Sequence, residues 1–179
     1  MKALFLFLIA SCVISVATAQ DTNKPGKHRN GADAPSPPAF VVQTLTNGTV
    51  VSVDYSQPSV KGRTIGKDIE PSNGKVWRTG ANEATRFEVS KNVKIEGKEL
   101  PAGKYGLFTI SGDDEWTIIF NKTWDQWGAF NYKDADDALR VKVKPGKAKE
   151  FAEKMTFLIN KSGKVSLLWG DIQVDFNVQ

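Results

Sequence analysis

The sequence predicts an all-β protein: a single-domain antiparallel β-sandwich, jelly-roll-like, with about nine strands and one or two short helical turns. Three observations carry that expectation. From Phe40 onward, apolar residues recur with a period of two in short runs, the spacing that sends alternate side chains to one face of a strand. Turn signals built from Gly, Asn, Asp, Ser and Pro separate those runs at short intervals. The roughly 140 residues from Phe40 onward also suffice for one hydrophobic core.

Before that domain come two segments of different character. Lys2, the apolar run from Leu4 through Val16, and the small residues of Ala17-Thr18-Ala19 form a secretory signal peptide over residues 1–19, too short and wrongly flanked for a stop-transfer span. Cleavage after Ala19 leaves Gln20 at the new N-terminus. A rival reading takes Ile9-Ala10-Ser11-Cys12 as a lipoprotein signal with Cys12 acylated. The apolar, small character of Val13 to Ala19 argues against it, because a lipoprotein turns polar there. Residues 20–38, ending Pro35-Ser36-Pro37-Pro38, have almost nothing to bury and read as a disordered Pro-rich linker, which leaves 39–179 for the sandwich.

The strands follow in order. Val41 to Leu45, the turn Asn47-Gly48, and Val50 to Tyr55 read as a hairpin, with Val51, Val53 and Tyr55 on one face and Ser52 and Asp54 on the other. Pro58, Gly62 and Gly66 mark an irregular path, which continues through 68–73. Val76-Trp77-Arg78 reads as a short strand and Gly80-Ala81-Asn82 as a turn. Thr85 to Val89 alternates. Val93 to Ile95 turns at Glu96-Gly97 and returns through Leu100. Lys104 to Ile110 and Glu115 to Asn121 carry apolar residues on both faces, which places them in the middle of a sheet. Asn121 to Asp137 interrupts the pattern with a loop holding Trp124 and Trp127, and Asp134 to Ala138 reads as one helical turn. Leu139 to Val143 resumes a strand, stopped by Pro145-Gly146. Lys147 to Lys154 reads as a short helix anchored by Phe151. Phe157 and Ile159, then Val165 to Trp169, then Ile172 to Val178 complete the strands, with a turn at Gly170-Asp171.

Composition closes several chemistries. The single cysteine lies in the signal peptide, so a mature chain in an oxidising compartment has no disulfide and no thiol nucleophile. The single histidine, His28, lies in the linker without a partner His or Cys, so it reads as solvated, and Ser-His-Asp catalysis and His/Cys zinc sites are closed to the domain. No Gly-rich loop opens a helix to cradle phosphate. The formal charge of +4 comes from lysines scattered among Asp and Glu, which is a mixed solvated surface and no nucleic-acid interface. No later stretch is long and apolar enough to form a transmembrane segment.

The stretch Val76-Trp77-Arg78-Thr79-Gly80-Ala81-Asn82-Glu83-Ala84-Thr85 stands out, because it packs an indole, a guanidinium, an amide and a carboxylate into one turn. Together with Tyr55-Ser56-Gln57-Pro58-Ser59-Val60-Lys61-Gly62-Arg63, Leu100-Pro101-Ala102-Gly103-Lys104-Tyr105-Gly106-Leu107-Phe108-Thr109-Ile110, Glu115-Trp116-Thr117, Asn121-Lys122 and Gln126-Trp127-Gly128, it resembles a bacterial family, domain of unknown function 2911. The resemblance covers essentially the whole mature domain. It implies an exported bacterial protein, typically of Gram-negative organisms, with no established activity, and it supplies no catalytic residue to carry over.

Carboxylate chemistry stays open. Asp113-Asp114-Glu115 reads as a solvated hairpin turn. Asp134-Ala135-Asp136-Asp137 lacks the spacing, glycine and distal Glu of a Ca²⁺ loop and reads as a helix start. The domain's four arginines, Arg63, Arg78, Arg86 and Arg140, are more telling. Arg78 with Asn82 and Glu83 grips a ligand in one reading. In the other it pairs with Glu83 or Asp54 and pins a loop over the core. Trp116 and Trp169 read as core. Trp124 and Trp127 either stack on a sugar or peptide or cap one end of the sandwich.

The resulting expectation is a secreted or periplasmic, non-catalytic binding module for a glycan, peptide or envelope component. Its ligand surface joins Arg63, Trp77, Arg78, Asn82, Glu83, Trp124 and Trp127, with no cofactor, no metal and no catalytic residue. One alternative is a carboxylate-dependent hydrolase using Glu83 with Asp125 or Asp54. The other is a structural or assembly protein whose edge strands join a partner. The sequence assigns no oligomeric state.

Overall fold

The Asn47-Gly48 turn folds the chain back as expected. It joins β1 (Pro38–Thr44) to β2 (Val50–Ser56) in antiparallel register, with Val41 opposite Val53. The computed structural model describes residues 34–179, so the expected signal peptide and cleavage site, Cys12, His28 and residues 20–33 of the expected linker lie outside the described residues.

The strand that enters and leaves the 76–85 stretch is split. β3 (Val76–Trp77) and β4 (Thr85–Val89) both run against β7 (Gly103–Ile110), β4 along its first half and β3 along its end. They are two pieces of one strand line. Residues 78–84 leave that line and return to it, and Thr85 N donates to the Arg78 carbonyl at 3.2 Å to close the excursion.

β7 then pairs with β8 (Trp116–Asn121), and β8 with β9 (Asp137–Val143). The seven-stranded antiparallel sheet has the order β1-β2-β4-β7-β8-β9, with β3 beside β7. Opposite it lies a long hairpin of β10 (Pro145–Ile159) and β11 (Lys164–Asn177). Residues 58–60 run along β10, where Met155 N donates to Pro58 O at 3.0 Å. The ribbon of β5 (Val93–Ile95) and β6 (Lys98–Leu100) joins the end of β11 through a bridge between Ile95 and Val178.

The core lies between these layers, because alternation puts one face of every strand inward. Phe87 from β4 and Phe120 from β8 meet edge to face at 5.0 Å, and Phe176 from β11 meets Phe120 at 5.8 Å. Tyr55 and Phe157 make a second inter-layer pair at 5.0 Å. The outer face of the large sheet is covered too. Ala84, Phe108 and Ile119 pack there under Ala129 and Tyr132 of the 122–133 loop, which is why β7 and β8 are apolar on both sides.

The fold is all-β and sandwich-like, with three departures from expectation. Eleven strands form among the described residues rather than about nine, with one 3-10 turn at Asp134–Asp136. Residues 147–154 are strand, not helix, and Pro145 opens β10 rather than stopping it, since a first-position proline forfeits no ladder bond. Gly170 does not end a strand. It lies inside β11 with φ +59°, opposite a bulged stretch of β10, and its missing Cβ leaves room for the Ile65 side chain.

Candidate functional site

The 78–84 excursion is held in an unusual backbone shape. Thr79, fully buried, has φ +52°, a left-handed conformation that a β-branched residue rarely adopts. Buried hydroxyls hold it there. Thr85 Oγ1 donates to the Thr79 carbonyl at 2.7 Å, and Thr79 Oγ1 lies 3.2 Å from Thr109 Oγ1 on β7. The Trp77 indole N–H donates to the Gly80 carbonyl at 3.0 Å across the same turn. This network fixes the direction in which Arg78 leaves the sheet.

Arg78 lies in the wall of an open cavity of about 410 Å³, where the excursion faces the 63–72 loop and β11. The Trp77 and Trp169 indoles are part of its lining. Trp169 Nε1 donates to the Glu70 carbonyl at 2.8 Å, so both indole N–H groups are satisfied by backbone. Arg63 and Lys67 add positive charge to the lining, and Asp68 and Glu70 add negative charge. Arg63 is tied to its own turn, donating from Nε to Val60 O at 3.0 Å and from Nη2 to Ser59 O at 2.6 Å. The carboxylates are tied as well, since Asp68 accepts from Thr64 N and Glu70 from Ser72 N.

Arg78 differs from these. Its Nε is buried and has no hydrogen-bond partner. Burial pushes its guanidinium below the ordinary arginine pKa, while the nearby Glu70 carboxylate pushes the other way.

The expected site residues fall into two groups. Arg63, Trp77 and Arg78 line the cavity together. Asn82 adjoins it, donating from Nδ2 to the carbonyl of Ser36, itself a lining residue, at 3.2 Å. Glu83, Trp124 and Trp127 belong to the outer face of the large sheet. Glu83 bridges Trp127, Ala84 N donates to Gln126 O at 3.0 Å, and Gly128 N donates to Asn82 O at 3.0 Å, so the excursion and the 126–128 loop are zipped together. The Trp127 side chain stands out of this zipper at 54% exposure. Trp124 lies beneath the Arg86 guanidinium at 5.5 Å and the Lys104 ammonium at 5.6 Å. Asp54, one of the acids weighed for a hydrolase and as a partner of Arg78, is 2% exposed and pairs with Arg86 at 2.8 Å.

Some residues were not foreseen. The 67–70 turn carried no periodicity to single it out, and Trp169 read only as core. Its indole N–H, which needs a partner once buried, was the one signal that an irregular backbone segment lies against it. Phe130, 85% exposed in the same loop as Trp127, also escaped notice. At the base of that loop, Tyr132 donates to Asp137 Oδ2 at 2.8 Å and Arg140 Nε donates to the same oxygen at 2.6 Å. Among the described residues no group of three or more His, Cys, Asp or Glu is placed to hold a metal ion, and no helix is long and apolar enough to cross a membrane.

Fold and cavity together define a two-layer antiparallel β protein with a cation-bearing recess where one strand line breaks. The chain belongs to the family described as protein of unknown function (DUF2911), whose model matches residues 36–178. No curated protein and no solved structure matches it.

Proposed function

We propose that the protein is an exported, non-catalytic binding module for a glycan, peptide or envelope component, and that its ligand occupies the recess beside Trp77 and Arg78. One observation carries the reading. Arg78 holds a buried guanidinium nitrogen without a partner in the wall of a cavity lined by two indoles. A recess with a few directed polar groups over a packed apolar wall is the usual make-up of a small-molecule site. The strained Thr79 beside it adds support, since backbone held in a sparsely populated region concentrates at ligand sites. Export rests on the reading of residues 1–19.

The test is a thermal-shift screen of the mature protein with oligosaccharides, peptidoglycan fragments and short peptides, with tryptophan fluorescence read alongside. A ligand that binds the native state raises the melting temperature. The expected result is a hit that also changes the emission of the cavity indoles and is weakened by Trp77→Phe. A panel that leaves both signals flat overturns the reading.

A further inference from the structure

We propose that Arg78 is a receptor for a carboxylate, so that the recess takes acidic ligands: the C-terminal carboxylate of a short peptide or the acid group of a sugar acid. This rests on the recess being the binding site.

Arg78 is the arginine of the domain whose chemistry is unfinished. Arg63 donates to two carbonyls, Arg86 to Asp54, and Arg140 to Asp137 and Tyr132. The ion pairs found among the described residues do not include Arg78. Glu70 is close enough to act on its charge, yet its carboxylate is turned to the backbone of Ser72. A buried donor without an acceptor destabilises a fold, and a partly buried cation without a paired anion does so further. A planar guanidinium is completed by a carboxylate, which accepts two parallel hydrogen bonds.

Charge and surroundings agree. The lining carries three basic side chains, Arg63, Lys67 and Arg78, against two acidic ones, Asp68 and Glu70, and one added carboxylate balances it. Trp77 and Trp169, almost fully buried, form the packed backing of the recess. The Thr79 and Thr85 hydroxyls keep the excursion in a shape it would otherwise avoid, and the residue it positions is Arg78.

Calorimetric titration of the mature protein would use two matched pairs: N-acetyl-alanyl-alanine against its C-terminal amide, and digalacturonate against its methyl ester. The expected result is that at least one acid binds and its neutral counterpart binds at least about tenfold more weakly. Which acid binds assigns the source. Arg78→Met is expected to abolish the preference while leaving the melting temperature unchanged or raised, because it removes a partly buried cation whose Nε has no partner. Acid and neutral forms binding equally well would overturn the carboxylate assignment and leave the recess as a site. No binding in any arm would overturn both. A lower melting temperature in Arg78→Met would mark Arg78 as a buttress of the fold and overturn the assignment even if ligands bind.

Discussion

The backbone at Trp124 lies directly on Gly106: a Cβ built on Gly106 would sit 3.4 Å from the Trp124 Cα, 3.3 Å from the Thr123 carbonyl and 2.7 Å from the Phe108 ring. The absent side chain on β7 is what lets the 122–133 loop descend onto the sheet. Gly106→Ala is therefore expected to cost about 1–3 kcal/mol, as overpacking does, because two of the three obstacles are backbone. Urea unfolding followed by tryptophan emission would measure it, and a change below about 0.5 kcal/mol would mean the loop shifts freely.

The Asp54–Arg86 pair adjoins that loop, with Arg86 over the Trp124 ring and the Asp54 side chain almost wholly withdrawn from water. Arg86→Met removes the 2.8 Å partner of this carboxylate and is expected to cost about 3 kcal/mol. Adding Asp54→Asn is expected to recover part of that loss. Equal stability of the single and double variants would show that other contacts of Asp54 carry its charge.

Trp127 and Trp169 should respond oppositely to truncation. Trp127 stands out from the 126–128 zipper, so Trp127→Ala is expected to change stability by less than about 1 kcal/mol and to leave near-ultraviolet dichroism largely intact. Trp169 is 1% exposed, and Trp169→Ala is expected to cost about 3–5 kcal/mol. Calorimetric melting of the two variants side by side decides the point.

The base of the 122–133 loop gives a test in alkali. The Tyr132 hydroxyl is pushed up to about 12, first by burial and then by the Asp137 carboxylate that accepts its proton. With the folded value raised above the unfolded one, the unfolded chain loses this proton first. The stabilisation is complete below pH 10.0, the ordinary tyrosine value, and is lost as pH rises toward 12. Tyr55 and Tyr105 are raised as well, both by burial, so the wild-type slope is a sum. Urea midpoints measured between about pH 9 and 11.5 are expected to fall less steeply in Tyr132→Phe than in the wild type. Identical slopes would show that the loop is held in some other way.

Where side-chain alternation and turn chemistry agree, the fold was legible. Asn47-Gly48 marked the first hairpin, and the double-sided apolar runs of β7 and β8 marked the middle of the sheet. Legibility failed at β10. Lys147 pairs with Ile172 and Ala152 with Gly170, so the strand carries extra residues its partner lacks. Bulges break the period of two, and the lysines and glutamates between Lys147 and Lys154 then imitate a helix face. Phe151, the expected apolar anchor of that helix, is instead 55% exposed. The site was half legible for a related reason. Trp77, Arg78 and Asn82 stand out by density, whereas Glu70 and Trp169 meet them only through the pairing of distant segments, which no local pattern records.

The bridge between Ile95 and Val178 also bears on the order in which the protein can be built. Lys94 N donates to Gln179 O at 2.8 Å and Gln179 N to Lys94 O at 2.9 Å, so the β5–β6 ribbon is completed by residues about eighty positions downstream. As the chain emerges, β4 and β7 can pair while the ribbon between them still lacks its neighbour. Val93, Ile95 and Leu100, all buried at the end, then form a sticky overhang of unpaired edge. In the nascent chain that overhang is where a holding chaperone would gain its grip, and where self-association would begin in its absence.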